Sequence, residues 1–252
     1  MSLRPGTRLF PVLLLSIAFG ACGIDDYIYL DPVTKTDWRP SLQRISFTLP
    51  SDQTEDYFDN YVIYYRLYPS SVNKLGISFS EGDFSSINAS MYSDYSRIYP
   101  YSTADDEAPV SLQSLFENSL VYKELYLGAS VASKDGLGTI TGEIDAGTLL
   151  TEDVAGKTLS IDFDLANVGA PHPCLIMDGV KYRLLRRGST AAPKPTRDFL
   201  YYSGMSGEDF EGSAQDNTYA VFYIVAKGTD LSFSTILSRA AFLGALQLPE
   251  EP

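Results

Sequence analysis

Two stretches far apart in the chain are apolar on both faces when they are treated as β-strands. The first covers residues 57–68 and the second covers residues 218–227. Both are rich in aromatic and β-branched side chains, which fit a pleated, buried surface. Side chains of a strand point alternately to its two faces, so a run that is apolar throughout predicts a strand covered on both sides. In the first run, one face carries Tyr61, Ile63, Tyr65 and Leu67, and the other carries Val62, Tyr64, Arg66 and Tyr68.

The remaining pattern predicts further strands and little helix. Residues 43–50 alternate, with Ile45, Phe47 and Leu49 on one face, which is typical of a half-buried strand. Asp178-Gly179 is the strongest hairpin signal, because glycine accepts the positive φ of a tight turn. The chain as a whole is therefore predicted to be all-β. Weaker strand candidates are 75–80, 122–132, 139–144, 158–165, 174–177, 180–185, 199–202 and 236–246, a short helix is predicted at 111–118, and residues 83–108 are predicted to be irregular.

The order of the best strands resembles a fibronectin type III domain. A strand ending in Leu-Pro, a polar loop and then Tyr-x-Ile-x-Tyr-Arg resemble strands B and C of that family. Residues 218–227 resemble strand F, 228–235 the F–G loop and 236–246 strand G. Tyr219 stands where such sandwiches often place a tyrosine whose hydroxyl ties down the preceding corner. The resemblance implies a sandwich over residues 42–249, with a β-rich insertion at about 70–215 between strands C and F.

The expected position of this insertion follows from the two apolar strands. If it were exposed to water, the outer face of the sheet that contains the two apolar strands would form one contiguous patch of large side chains. Soluble proteins avoid such patches unless a partner binds there. We therefore expect the insertion to lie over the outside of that sheet.

The amino terminus has the layout of a bacterial lipoprotein signal. Arg4 and Arg8 precede an apolar run over residues 9–19, and small residues then lead into Cys22. The small residues followed by cysteine resemble a lipobox, with Phe19 where leucine is usual. The resemblance implies a signal peptide at 1–21, acyl chains on Cys22 and a tether over 22–41 whose second, aromatic-bearing part docks on the domain. The alternative is an ordinary cleaved signal with an incidental cysteine.

Several features together resemble uncharacterised lipoproteins of treponeme-like spirochaetes. These are the loose lipobox, Cys-Gly-x-Asp-Asp-Tyr at residue 22, the Tyr-Tyr-Arg strand and the Ala-Phe-Leu-Gly ending. The resemblance implies a cell-envelope location, in the outer membrane or on the periplasmic face of the inner membrane. It implies no activity.

Composition and charge limit the classes of partner that the chain is expected to bind. The chain is 44% hydrophobic and 20% charged, which suits a globular protein. Loss of residues 1–21 would remove two arginines and no acid, and so change the formal net charge from −13 to −15. Such a chain repels nucleic acid and anionic headgroups. The predicted membrane partner is therefore reached through acyl chains on Cys22.

Candidate catalytic chemistry is sparse. If Cys22 is acylated, Cys174 has no partner for a disulfide and is predicted to be buried. His172 lies two positions away between prolines, where we favour a loop role over a Cys/His nucleophile pair. Asp162 and Asp164 share a predicted strand face; a glycosidase or calcium role is open, but we favour a solvated face. The acidic run at 105–107 fits no EF-hand spacing, and no cofactor or metal is predicted.

A tyrosine cluster is the feature most open to ligand binding. Tyrosine offers rigid contact area with a polar tip, which suits a protein or carbohydrate ligand. The alternative is that these rings pack a long loop against the sandwich. The cluster comprises Tyr92, Tyr95, Tyr99 and Tyr101.

These patterns predict a lipid-anchored cell-envelope protein that is not an enzyme and acts as a binding or scaffolding module. One alternative is a cell-envelope hydrolase that uses carboxylates of the insertion. Another is a subunit of a larger envelope assembly.

Overall fold

β-Strands dominate the part of the chain that the computed structural model describes, namely residues 30–33, 35–51, 53, 56–69, 122–130, 143–186, 197–202, 209–210 and 218–250. Helix in these ranges is confined to α1 (Ala146–Leu149), α2 (Leu165–Val168) and two 3-10 turns, Pro40–Leu42 and Glu152–Val154. The predicted all-β class is confirmed. In chain order the strands are β1 (Lys35–Arg39), β2 (Arg44–Thr48), β3 (Phe58–Pro69), β4 (Lys123–Glu124), β5 (Tyr126–Ser130), β6 (Glu143–Asp145), β7 (Thr158–Asp162), β8 (Cys174–Met177), β9 (Val180–Arg186), β10 (Arg197–Asp198), β11 (Thr218–Thr229), β12 (Thr235–Leu237) and β13 (Ala241–Gln247).

The strands form two antiparallel sheets. The larger sheet has the order β1-β2-β7-β8-β9-β5-β6, and β10 pairs with β9. The smaller sheet has the order β12-β11-β3-β4. Strand β13 pairs with the first half of β11, on the edge that β12 occupies farther along. The long strands β3 and β11 therefore form the centre of the smaller sheet.

The pairing of β3 with β11 confirms that the two apolar stretches lie side by side. Each strand has 12 residues, and the pair runs antiparallel from Thr218 opposite Pro69 to Gly228 opposite Phe58. The sequence separation is large, so this pairing depends on burial of both strands and not on a tight turn. It brings the end of β11 next to the start of β3.

The core lies between the two sheets. Ile45, Phe47, Ile161 and other inward residues of the larger sheet belong to one buried cluster with Ile63 and others of the smaller sheet. Phe222 sits at its centre, with ring centroids 5.9 Å from Phe163 and 5.8 Å from Phe199. These tilted and edge-on arrangements are the ones that aromatic pairs prefer. The alternation predicted for residues 43–50 is confirmed, because Ile45, Phe47 and Leu49 are at most 1% exposed.

The other face of β3 and β11 is buried as well, as the two-sided pattern predicts. Tyr122, which precedes β4, supplies part of the cover. Its hydroxyl lies 2.9 Å from that of Tyr68, and its ring meets Tyr223 edge-on with centroids 5.5 Å apart. For most of the described insertion the expected position is wrong, because β5–β10 belong to the larger sheet, across the core from this face. Cover by residues 70–121 lies outside the described residues and stays a prediction. The buried outer side chains are Val62, Tyr64, Tyr68, Val221, Tyr223 and Val225.

The segment predicted as one strand at 122–132 crosses between the sheets. Strand β4 pairs with β3 in the smaller sheet, whereas β5 pairs with β6 and β9 in the larger one. Leu125 lies between β4 and β5, fully buried, and its backbone N–H donates to the Ile63 carbonyl oxygen at 2.8 Å. At the crossing, the Leu125 side chain therefore packs in the core while its backbone N–H remains hydrogen-bonded.

The predicted hairpin at Asp178-Gly179 is confirmed. Strands β8 and β9 pair with Met177 opposite Val180, and the two turn residues have φ of 50° and 78°. Positive φ at both central positions is the geometry that matches the twist of the flanking strands.

Three boundaries differ from the sequence prediction. The strand predicted at 236–246 is split into β12 and β13, because the Ser238 hydroxyl bonds the Ala226 N–H at 2.8 Å. The strand predicted at 158–165 ends at Asp162, because Asp164 caps α2. The short strand expected at 199–202 lies earlier, as β10. In addition, the Tyr219 hydroxyl donates to Gln247 on the adjacent strand at 3.3 Å and does not tie down the preceding corner.

The second part of the expected tether joins the domain as an edge strand. Strand β1 pairs with β2 from Lys35 opposite Thr48 to Arg39 opposite Arg44. Ahead of it, Leu30 and Val33 are 2% and 3% exposed and belong to the core cluster. The described chain thus enters the core at Leu30.

Candidate functional site

The proposed lipidation and ligand residues fall outside the part of the chain that the structure describes. They are Cys22, Tyr92, Tyr95, Tyr99 and Tyr101. Lipidation of Cys22 and ligand binding by the tyrosines therefore stay predictions. The described candidates are the Cys174/His172 pair and the carboxylates Asp162 and Asp164.

Cys174 is buried, as the sequence predicts. It begins β8, is 0% exposed, and its Sγ donates to the carbonyl oxygen of His172 at 3.3 Å. Burial raises the pKa of the Cys174 thiol to about 12. A protonated thiol is a poor nucleophile, so this environment does not support a Cys/His catalytic pair.

The ring of His172 faces Asp198, whose carboxylate already holds Arg183. The distance from His172 Nδ1 to Asp198 Oδ2 is 3.4 Å, without the geometry of a hydrogen bond. Arg183 donates to both oxygens of Asp198 through Nε and Nη2. Burial lowers the pKa of His172; the charge of Asp198 opposes this, and that of Arg183 adds to it. His172 is therefore held as a neutral loop residue beside an existing ion pair.

We expect Cys174 to be unreactive in the folded protein. In C22A it is the remaining cysteine of the chain, so iodoacetamide at pH 8 reports on it alone. Burial and the raised pKa should make its labelling at least about a hundredfold slower than in the urea-unfolded chain. Mass spectrometry of timed samples measures this rate, and equal rates in both states would contradict the burial.

The prediction that Asp162 and Asp164 form a solvated face is wrong. Asp162 is 0% exposed, and its Oδ2 accepts from Arg44 Nε at 2.9 Å and Arg44 Nη2 at 2.7 Å. Asn167 donates to the same oxygen at 2.8 Å. Asp164 lies beyond the strand, and its carboxylate accepts from the N–H groups of Ala166 and Asn167. The alternation of polar and apolar residues predicted a solvated face, but Arg44 lies directly opposite Asp162 on β2 and supplies the counter-charge that permits burial.

A second buried ion pair links the two sheets and has no local sequence signal. Arg186 ends β9, and its Nε and Nη2 each donate to Asp209 at 2.9 Å, with both side chains 0% exposed. The Tyr65 hydroxyl of β3 donates to the same carboxylate at 3.0 Å. Burial lowers the pKa of Arg186, but the hydrogen bond and charge of Asp209 outweigh it and raise that pKa overall. Arg186, Asp209 and Tyr65 therefore form a buried structural contact, and the charged pair does not face solvent.

Two large apolar side chains are displayed instead on the loop between β11 and β12, here called the tip loop (residues 230–234). Leu231 is 78% exposed and Phe233 is 91% exposed. Phe233 has a φ of 62°, a conformation that costs a bulky residue about 1–3 kcal/mol. Strain of this kind persists where the surrounding structure imposes it, often at ligand-contacting sites.

The tip loop is held in shape by the side chain of Asp230. One oxygen, Oδ1, accepts from the Ser232 N–H at 2.8 Å, the Ser232 hydroxyl at 2.7 Å and the Ser234 N–H at 2.8 Å. The hydrogen bond from the Ser232 hydroxyl is the largest cause of a lowered pKa at Asp230, and the two backbone bonds add to it. The backbone also closes, because the Asp230 N–H donates to Ser234 and the Phe233 N–H to Asp230. Leu231 and Phe233 are thus presented on a preorganised loop.

The tip loop shares one end of the molecule with the place where the described chain begins. A Cβ built on Gly228 would lie 3.2 Å from Leu30 Cδ1 and 1.9 Å from the Tyr57 carbonyl oxygen. The next residue, Thr229, donates to that oxygen at 3.0 Å and through its hydroxyl to Asp59 at 2.8 Å. The strand pattern predicted this loop within residues 228–235 but not its apolar pair, whose signal is Leu and Phe within an otherwise polar loop.

Within the described ranges, no three His, Cys, Asp or Glu side chains are grouped so that they could hold a metal ion. Neither described helix has the length and apolar character needed to span a bilayer. The chain matches no protein-family model, and no curated protein or solved structure is significantly similar to it.

Proposed function

We propose that this chain is a lipid-anchored protein of the cell envelope that acts as a binding or scaffolding module. The observation that carries the binding role is the tip loop, a hydrogen-bonded turn that displays Leu231 and Phe233 at 78% and 91% exposure. The anchor rests on the signal-like amino terminus and Cys22. Two exposed apolar groups on an ordered loop suit contact with another surface better than catalysis.

We further propose that the core is a variant of the fibronectin type III sandwich. Strands β3, β11 and β13 share one sheet, as strands C, F and G do in sandwiches of that type. Strand β2, the counterpart of strand B, pairs with β7 in the other sheet. These pairings support the resemblance, which implies loops at the sandwich ends as the sites of recognition.

The three carboxylates that pair with arginine give a hydrolase role no support. Asp162, Asp198 and Asp209 each accept hydrogen bonds from an arginine, in the pairs Arg44–Asp162, Arg183–Asp198 and Arg186–Asp209. A general acid or base needs a free path to a substrate proton. Asp162 and Asp209 are 0% exposed, so they have none.

Metabolic labelling with palmitate in a bacterium that processes lipoproteins tests the anchor. We expect label on the full chain and none on C22A. C174A is the matched control, because it removes the other cysteine and should keep the label. An unlabelled parent chain, or label that survives C22A, would refute the anchor.

A further inference from the structure

We propose that the tip loop inserts Leu231 and Phe233 into the interface of the same bilayer that holds Cys22. This inference rests on the proposed lipid anchor. It adds a second membrane contact, made by the folded domain itself, and it assigns a task to the apolar pair.

The length of chain between Cys22 and the domain limits how far the domain can stand from its anchor. Leu30 lies eight residue steps after Cys22, with seven residues between them. A fully extended chain spans at most about 3.6 Å per residue, so this segment reaches no more than about 29 Å. Because Leu30 is buried in the core, the end of the domain that contains it stays within that distance of the bilayer.

The tip loop lies at that same end. Leu30 packs against Gly228, and the chain continues from there through Thr229 into residues 230–234. A strand advances about 3.3 Å per residue, so the loop projects roughly 10 Å past the Leu30 contact. That projection matches the about 5–10 Å depth at which apolar groups lie in the headgroup and acyl boundary. Leu231 and Phe233 therefore lie at the end of the domain that the proposed anchor keeps within about 29 Å of the bilayer.

Charges around the tip loop determine which lipids it accepts. Asp59 is hydrogen-bonded to Thr229, Asp230 stands at the base of the loop, and Asp31 follows Leu30. These carboxylates, together with a net charge of −15 for the chain after loss of residues 1–21, repel anionic headgroups. Insertion should therefore favour a zwitterionic bilayer, weaken in an anionic one, and recover there as salt screens the repulsion.

Depth-dependent quenching tests the contact. The parent chain has a single tryptophan, Trp38, which gives the background emission. The purified lipidated chain carrying F233W is placed in vesicles of phosphatidylcholine, with or without bromine on the acyl chains. We expect the emission added by F233W to shift to the blue and to fall at least about twofold with brominated lipid, because the indole lies in the interface. Vesicles of phosphatidylcholine and phosphatidylglycerol in equal amounts should show a smaller loss at low salt.

The matched control is L42W. Leu42 is also apolar and 52% exposed, but it lies between β1 and β2, at the end of that hairpin opposite Leu30. Its added emission should respond to brominated lipid no more than the parent background. Equal responses of F233W and L42W in the anchored chain would overturn the proposal and leave a protein partner as the occupant of the tip loop.

Failure of the anchor and failure of the tip contact remain distinguishable. Intact mass shows whether Cys22 carries acyl chains. If it does not, the proposed anchor fails, and the F233W and L42W chains can be coupled through the Cys22 thiol to a maleimide phospholipid while buried Cys174 stays unmodified. Quenching of F233W in those vesicles would support the tip contact, and its absence would overturn it.

A stability measurement separates a membrane role from a structural one. Asparagine tolerates positive φ better than phenylalanine, and the Phe233 ring is 91% exposed. We expect F233N to keep or raise the melting temperature of the chain. In a second pair of variants, the tryptophan of L231W should be quenched by brominated lipid, and the double variant L231W/F233N should lose most of that quenching. A lowered melting temperature with unchanged quenching would assign Phe233 to folding alone.

Discussion

Asp209→Ala is expected to lower the free energy of unfolding by about 3–5 kcal/mol, the largest single effect we anticipate in this protein. Both oxygens of Asp209 bind Arg186, and Tyr65 donates to one of them. Without the carboxylate, the chain would have to bury an unpaired guanidinium between the two sheets. Urea denaturation followed by circular dichroism measures the loss.

An exposed ion pair provides the control. In the Arg39–Asp37 pair, both side chains are more than half exposed, so Asp37→Ala should change stability far less than Asp209→Ala does. The double variant R186M/D209L removes both buried charges and should regain most of what Asp209→Ala loses, because no unpaired charge remains. A loss from Asp209→Ala no larger than that from Asp37→Ala would show that the Arg186–Asp209 tie carries little energy.

The second large effect is expected at Gly228. A Cβ at this position would stand 1.9 Å from the Tyr57 carbonyl oxygen, a backbone atom that cannot rotate away. Relief requires that Tyr57 move, which strains its hydrogen bond from Thr229 and the packing of Leu30. We expect Gly228→Ala to cost at least about 3 kcal/mol, the upper end of the usual range for overpacking.

Thr229→Ala is the neighbouring control for this substitution. It removes the hydroxyl bond to Asp59, on an exposed surface, and should cost about 0.5–1.5 kcal/mol. Thermal unfolding of both variants compares them directly. A Gly228→Ala protein as stable as Thr229→Ala would show that the backbone at Tyr57 makes room for the added methyl group at little cost.

The sequence predicted the two central strands because their signal is local. Residues 57–68 and 218–227 carry mainly apolar or aromatic side chains on both faces of a period-two pattern, and this favours a strand that is covered on both sides. The Asp178-Gly179 turn was predictable for the same reason, since positive φ is a property of the turn residues themselves.

The burial of Asp162 and Asp209 could not be predicted from the sequence because their environment is not local. Asp162 looked like part of a wet face, yet Arg44, 118 residues earlier, meets it across β2 and β7. Asp209 bonds Tyr65, which precedes it by 144 residues. No window along the chain contains both partners of either contact. The cost of burying a charge depends on its partner, so burial was decided only when the strands met.

The sequence alone determined the class of fold, the two central strands and the chain position of the loop that carries Leu231 and Phe233. Tertiary structure alone decided which carboxylates are buried and that this loop stands beside Leu30, at the end where the described chain begins. The physical reason is the separation along the chain over which each interaction acts. Alternation and turn geometry arise between near neighbours in the chain, whereas ion pairing and the meeting of chain ends depend on which distant strands share an edge.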